Sequence, residues 1–269
     1  MTRIAVIGHV EWVTFADGEV PALGEIALLA DPFTAAAGAG AVVAVELARR
    51  GVEVVFFTAL GADAAGDAAG AFLHDHGVDT RAARREEPQT AALTILSPDH
   101  ERTIMVIGAN LHPQATDDLG WDDLAGVDAV YFTGGDPATL RAARAAPVLV
   151  VTARRLEVLA ASGVRADVLV GSANDPGERA DAVPLPQRPR VIVQTRGAGG
   201  GTWTAEDGTG GTWEPVAPPG PLRYAYGAGD CFHAVLTALL GAGATMADAL
   251  AAAARAGAEA VTRRGPYGQ

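Results

Sequence analysis

The chain has 269 residues, of which 49% are hydrophobic, and a formal net charge of −12. That length and apolar content suit one large core, while the acidity argues against a basic groove for nucleic acid and against attraction to an anionic membrane. All 20 basic residues are arginine, which excludes a Walker lysine, a protein-kinase lysine and a Schiff-base lysine.

In chain order, Ile4 to Ile7 reads as a central strand ending at Gly8. Glu11 to Phe15, the turn Ala16-Asp17-Gly18 and a strand near Glu25 to Leu29 read as small antiparallel strands. Gly38 to Arg50 is Ala-rich and helical, stopped by Gly51, and Val52 to Thr58 is a buried strand. A helix opens within Leu60 to Asp67 and runs to about His76. Thr90 to Leu96 and Arg102 to Ile107 form two more strands around Ser97-Pro98-Asp99-His100.

From Val127 the pattern alternates. Strands are expected at Ala129 to Phe132, Val148 to Val151, Val168 to Val170 and Val191 to Gln194. Helices are expected at Pro137 to Ala145, Arg154 to Ala161 and Asn174 to Ala180. Such alternation implies a parallel sheet with helices on its faces. A hairpin follows at Gly201 to Ala205 and Gly211 to Val216, then a helix to Leu240 and a last one over Met246 to Arg263. The chain reads as a single α/β domain, 1–269, with short strands at about 11–35 and 90–107 combining into a small second sheet.

The stretch Tyr226-Gly227-Ala228-Gly229-Asp230 opens directly into an apolar helix. Free N–H groups at a helix start, beside the positive end of its dipole, can hold a phosphate, and Asp230 adds a carboxylate there. The alternative is a glycine turn with Asp230 as a cap. Ligands in such sheets bind at the carboxyl ends of strands, so Asp230 would be joined by loops after Ile7, Thr58, Phe132, Val170 and Gln194.

Other pieces are weighed the same way. Thr195-Arg196-Gly197-Ala198-Gly199-Gly200 is either a hairpin turn or a set of N–H groups for phosphate beside Arg196. Asn174 to Glu178 is either a capped helix start or oxygen ligands that position Mg²⁺ near phosphates. Gly38-Ala39-Gly40 is half of a dinucleotide fingerprint without its third small residue, which argues against a dehydrogenase. No histidines have the spacing of a zinc helix motif; His9, after the first strand, is where a substrate could sit. With Cys231 as the sole cysteine, no intrachain disulfide can form, which fits a cytoplasmic protein.

With these pieces in place, the sequence resembles the ribokinase-like (PfkB) family of carbohydrate kinases over nearly its whole length. Gly227-Ala228-Gly229-Asp230-Cys231-Phe232 is close to the family's G-A-G-D-A-F. Leu60-Gly61-Ala62-Asp63-Ala64-Ala65-Gly66 resembles L-G-x-D-x-x-G, and Leu47 to Gly51, Glu101 to Ile104, Gly108-Ala109-Asn110 and Val261 to Gly265 match further pieces in family order. The resemblance implies a three-layer α/β/α fold, a mostly parallel central sheet and a small antiparallel β lid that covers the sugar and often forms a dimer interface.

It also implies roles. Asp230 would accept the proton of the substrate hydroxyl, and the N–H groups of Gly227, Ala228 and Gly229 would form an anion hole. Thr195, Arg196, Gly197, Gly200 and Ala254 fall at nucleotide positions; Asn174 and Glu178 resemble the N-x-x-E magnesium motif with one residue added. Glu11, Gly38, Val42, Asn110 and Arg155 fall on the substrate side. Val42 replaces a signature asparagine, Glu11 an aspartate, and no D-x-N appears around Val151-Thr152-Ala153, although Arg154 or Arg155 could contact an anionic substrate. Tyr224-Ala225-Tyr226 replaces residues that include a cation-binding aspartate, which argues against monovalent-cation activation. The expected activity is ATP- and Mg²⁺-dependent phosphorylation of a hydroxyl on a sugar or sugar-like molecule. A nucleoside kinase of the same fold and a non-catalytic binding relative are the alternatives.

Overall fold

Alternation along the first strand sets the layering. In β1 (Arg3–Ile7), Ile4 and Val6 join one apolar cluster while Ala5 and Ile7 join a second. A strand buried on both faces needs a layer on each side, which is the α/β/α arrangement. The structure is a computed structural model and describes residues 2–268.

Beyond β1 the chain runs β2 (Glu11–Asp17), β3 (Ala30–Ala37), α1 (Ala39–Arg49), β4 (Glu53–Gly61), α2 (Ala64–Asp75) and β5 (Asp79–Arg85). Next come β6 (Ala91–Leu96), β7 (Arg102–Ile107), β8 (Ala129–Phe132), α3 (Pro137–Ala143), β9 (Val148–Thr152) and α4 (Leu156–Ser162). The remainder is β10 (Val168–Ser172), β11 (Val191–Thr195), β12 (Gly201–Ala205), β13 (Gly210–Trp213), α5 (Ala228–Gly241) and α6 (Met246–Ala260).

The central sheet has nine strands in the order β13-β12-β11-β10-β9-β8-β1-β4-β5. It is parallel from β11 to β5, with β12 and β13 added antiparallel at one edge. Residues of α1, α2, α5 and α6 supply the cluster on one face, and residues of α3 and α4 the other. The second sheet has the order β3-β2-β6-β7. Its outer pairs are antiparallel but its central pair, β2 with β6, is parallel, so the lid is mixed rather than wholly antiparallel.

The base of this lid explains the Leu60 to Gly66 motif. Asp63 caps α2 by accepting from Gly66 N at 2.8 Å, and its other oxygen accepts from Gln89 N at 3.1 Å. The Gln89 side chain accepts from Gly61 N at 3.0 Å and donates to Val10 O at 2.7 Å. One capping carboxylate and one amide therefore join α2, β4 and the entries to β2 and β6.

Several boundaries differ from expectation. Residues 19–29 are an exposed segment, and the second lid strand begins at Ala30 instead of Glu25. The stretch Asn174 to Ala180 is not a helix; only Pro176–Glu178 makes a 3-10 turn, because the Asp175 side chain accepts from Gly177 N at 2.8 Å and closes a tight Asx turn. The strand β5 has no apolar alternation and was not expected. Among the described residues, no helix is long and apolar enough to cross a membrane.

Candidate active site

The site is built on the start of α5. Gly227, the residue before the helix, has φ +77°, and a Cβ there would lie 3.3 Å from Val42 Cγ1. Both the left-handed backbone and the close approach favour glycine. No side chain caps this end. The first-turn N–H groups, which have no partner within a helix, stay available to an anion. A Cβ on Gly229 would meet nothing within 4 Å, so the backbone there borders open space.

Asp230 sits half-buried in that first turn. Burial raises its carboxyl to about 7, helped by the negative charges of Glu178 and Glu11 and opposed by Arg102 and Arg154. A carboxylate poised near neutrality is matched to general-base work. Its neighbours come from β7 of the lid, β2, the turn after β9 and the loop after β10. The next residue, Cys231, is buried with its thiol pushed up, foremost by burial, and Arg263 donates to its Sγ at 3.7 Å.

On the expected nucleotide side, Ala173 N donates to Thr195 O at 2.8 Å, and a Cβ on Gly197 would lie 3.8 Å from Asn174 Nδ2. The loops after β10 and β11 are thus adjacent, bringing Asn174, Thr195 and Gly197 together. Arg196 is exposed beside them, and Ala254 is half-buried on α6. Gly200 is different. It is buried in the turn between β11 and β12, and a Cβ would lie 2.1 Å from Trp213 O, so this glycine lets that turn pass against the end of β13 and presents no surface to a ligand.

The negative charge of Glu178 acts on Asp230, but its carboxylate is already engaged. Oε1 pairs with Arg154 Nε at 2.6 Å and Oε2 accepts from Ser172 N at 2.9 Å. Asp175 takes a second bond from Arg154 Nη2 at 2.5 Å. Among the described residues, no group of three His, Cys, Asp or Glu side chains could hold a metal ion.

On the expected acceptor side, Glu11 and His9 are buried, with His9 Nε2 3.5 Å from Glu11 Oε1. Both border Gly38, whose φ is +81° and whose Cβ would lie 3.1 Å from the His9 ring. Arg155 donates Nε to Thr133 O at 2.7 Å and Nη2 to His112 Nε2 at 3.2 Å. Asn110 is exposed in the loop after β7. Val42 corrects an expectation: it is fully buried in α1, under Gly227, and supports the anion loop without a surface for substrate.

Three side chains here escaped the sequence reading, and a fourth, Tyr226, entered it only as a departure from the family pattern. Tyr226 is buried and packs edge-on against Phe15 at 4.9 Å, filling the space between the anion loop and the lid base. Tyr131 is buried and bonds His233 Nδ1 at 2.9 Å; burial first, then Asp230 and Glu178, raise its hydroxyl. His233 is held neutral, down to about 4, by burial. His112 follows the lid, and only its chain position just after Gly108-Ala109-Asn110 hinted at it. Tyr131 and His233 sit inside apolar runs, where a polar residue near a strand end and one three apart from Asp230 on a helix were the available signals.

A family model described as pfkB family carbohydrate kinase matches residues 1–161 and 156–268 of the chain. Curated protein sequences give no match. Solved structures share the fold. Ribokinase from Arabidopsis thaliana complexed with ribose and ATP is 19% identical, with a TM-score of 0.76, covering 98% of this chain and 93% of that one. Ribokinase from Thermotoga maritima is 17% identical with a TM-score of 0.79, covering 99% and 95%. Phosphofructokinase-2 from Escherichia coli, in complex with potassium, is 14% identical with a TM-score of 0.76, covering 99% and 94%.

Proposed function

The chain belongs to the pfkB family of carbohydrate kinases, and from that premise we propose that it transfers the γ-phosphoryl group of ATP to a hydroxyl of a sugar or sugar-like acceptor in the cytoplasm. The observation that carries the reading is the uncapped start of α5 with a carboxyl held at about 7 in its first turn.

In this mechanism Asp230 accepts the proton of the acceptor hydroxyl as the oxygen attacks the γ-phosphorus. The N–H groups of Gly227, Ala228 and Gly229 stabilise the charge spread over the transferring group, where most of the catalysis of such a reaction lies. Thr195, Arg196 and Gly197 flank the nucleotide phosphates. The hard oxygens of Asn174 and Glu178 fit Mg²⁺ only through retained waters and phosphate oxygens, since Arg154 holds one Glu178 oxygen and a backbone N–H the other. When bound, Mg²⁺ would neutralise phosphate charge. Arg102 and Arg154 bring fixed positive charge to the same cleft, a task that falls to arginine in a chain without lysine. Tyr224 bonds Asp17 at 3.0 Å and Tyr226 is buried, so these two departures fill space between the anion loop and the lid.

The lid also favours a second copy of this chain as partner. Ile104, Met105, Val106 and Ile107 are exposed along the unpaired edge of β7. A long apolar edge strand invites pairing and is seldom left open.

The reading is tested by Asp230→Asn. Phosphorylation should fall by roughly 10²–10⁴-fold, the usual worth of a general base, with ATP affinity retained in calorimetry. Undiminished turnover would remove Asp230 from the role.

A further inference from the structure

The arm that leads into the anion loop is carried by the lid. Each of its last three residues before Gly227 touches a lid strand or the lid turn. The Tyr224 hydroxyl donates to Asp17, at the end of β2, at 3.0 Å. Ala225 N donates to His100 O, in the β6–β7 turn, at 3.2 Å. Tyr226 packs edge-on against Phe15 of β2. The body of the protein contributes the backbone bond from Arg223 N to Val261 O, at 2.8 Å. Gly227 and the first turn of α5 follow directly.

The lid turn is shaped for this contact. His100 N donates to Ser97 O at 3.0 Å, and the φ of His100 is +70°. Its Nδ1 lies 2.9 Å from Arg223 O; a carbonyl only accepts, so the ring proton is assigned to Nδ1. The ring and the carbonyl of this one residue thus hold both ends of the Arg223 to Ala225 segment. Asp31, with φ +47°, marks a second contact: its carbonyl accepts from Arg264 Nη2 at 2.5 Å, and Arg264 also reaches Asp17 and covers the Phe33 ring. Among the described residues, His100 and Asp31 are the only non-glycine residues with positive φ. Such backbone persists only where its surroundings hold it, and it gathers at clamps and switches. Both stand where the lid meets the body. Between the lid turn and the arm lies a cleft of about 260 Å³, lined by Ser97, Pro98 and His100 on one side and Pro221, Leu222 and Tyr224 on the other. The joint is bonded more than packed, so it can part without breaking a core.

We propose that His100 is a positioning residue for the anion loop: through Arg223 and Ala225 the lid turn sets the direction in which the chain enters Gly227, so nucleotide affinity depends on a lid residue outside that loop. The proposal rests on the kinase reading, which puts the ATP phosphates at the start of α5. A lifted lid would leave the arm with its bond to Val261, and the N–H groups of Gly227 to Gly229 would lose the fixed orientation that an anion requires. Coupling of this kind is reciprocal, so a nucleotide on the loop would also hold the lid turn down.

The test pairs calorimetric binding of ATP with Mg²⁺ to the full chain with hydrogen exchange at the Ala225 amide, at a temperature where every variant is folded. In the native chain that amide should be protected, and ATP should slow its exchange further. His100→Val forces a β-branched side chain into φ +70° and removes the ring donor. It should weaken ATP binding by about 5- to 150-fold, the range of coupling between two sites. It should also speed exchange at Ala225 while the β1 amides keep their native rates. His100→Asn tolerates left-handed backbone and keeps a side-chain donor, so it should restore most of both. Should His100→Val fail to fold, His100→Gly accepts the same φ and removes only the ring bond, and its loss should fall at the low end of that range. An Ala225 amide that is unprotected in the native chain overturns the proposal. So does a lower Tm with ATP affinity unchanged, which would make His100 merely structural. Either result leaves the kinase standing. A native chain that binds no ATP ends the kinase reading and the proposal with it.

Discussion

The two halves of the cleft are made of different materials. The proposed donor half is backbone: the start of α5 at Gly227 and the adjoining turns after β10 and β11, held by main-chain bonds such as Ala173 N to Thr195 O. The proposed acceptor half is side chains, with His9, Glu11, His112 and Arg155 converging from three separate loops. The contrast follows from the ligands. A phosphate group needs N–H groups at fixed positions, and only glycine-rich backbone approaches closely enough. An acceptor is recognised by its own pattern of groups, which side chains can vary without disturbing the fold.

The largest test of this contrast compares two glycines in one turn. Gly227→Val adds a branched side chain at φ +77° against Val42, so it should lower kcat by roughly 10²–10³-fold, the worth of a displaced oxyanion donor, and lower Tm as well. Gly229→Ala adds a methyl that meets no protein atom. It should keep Tm while raising KM for ATP. Equal losses of Tm in both would mean that the turn is only structural.

A smaller effect comes from pH. The kcat/KM profile should rise through about 7 as Asp230 loses its proton. Glu178 raises that value and Arg154 lowers it, so Glu178→Gln should move the midpoint to lower pH and Arg154→Gln to higher pH. Stability runs the opposite way. The folded carboxyl is raised above its ordinary value, so its favourable contribution is complete below the unfolded value and is lost as pH rises through about 7. Asp230→Asn should therefore melt a few degrees higher than the native chain at pH 8, and the gap should close in acid. A catalytic carboxylate that costs stability would mark this half of the cleft as organised for chemistry.

The smallest expected effect on turnover lies at the lid. Ile107→Lys should leave the core intact and shift sedimentation from dimer to monomer. A native chain that already sediments as a monomer at micromolar concentration would refute the paired lid.

The same difference in materials decided what could be read from the sequence. The turn at Gly227 into α5 was legible because adjacent small residues before an apolar run survive as a pattern in a linear sequence. The central parallel strands were legible because burial on both faces makes them continuous apolar runs. Arg155 and His112 lie 43 positions apart in the chain, and nothing local marks them as partners. Val42 misled because a position was judged by what usually occupies it, whereas here a fully buried valine packs beneath the turn. The segment from Glu25 to Leu29 misled by periodicity: Ile26 and Leu28 alternate as in a strand, yet both are exposed. The true strand, β3, contains Pro32 and an alanine run, tolerable because it is an edge. The Asn174 stretch lost its helix to a proline and an aspartate that make a tighter local turn.

Cys231 gives this molecule an internal clock. It is the only thiol in the chain, it follows Asp230 directly, and burial keeps it protonated. Only the thiolate reacts with disulfide reagents, so labelling must wait for the first turn of α5 to come away from the core. The rate of labelling thus counts the openings of the anion cradle in an otherwise silent protein. A nucleotide seated on that turn would slow the count in proportion to its occupancy, without any substituted residue or attached probe.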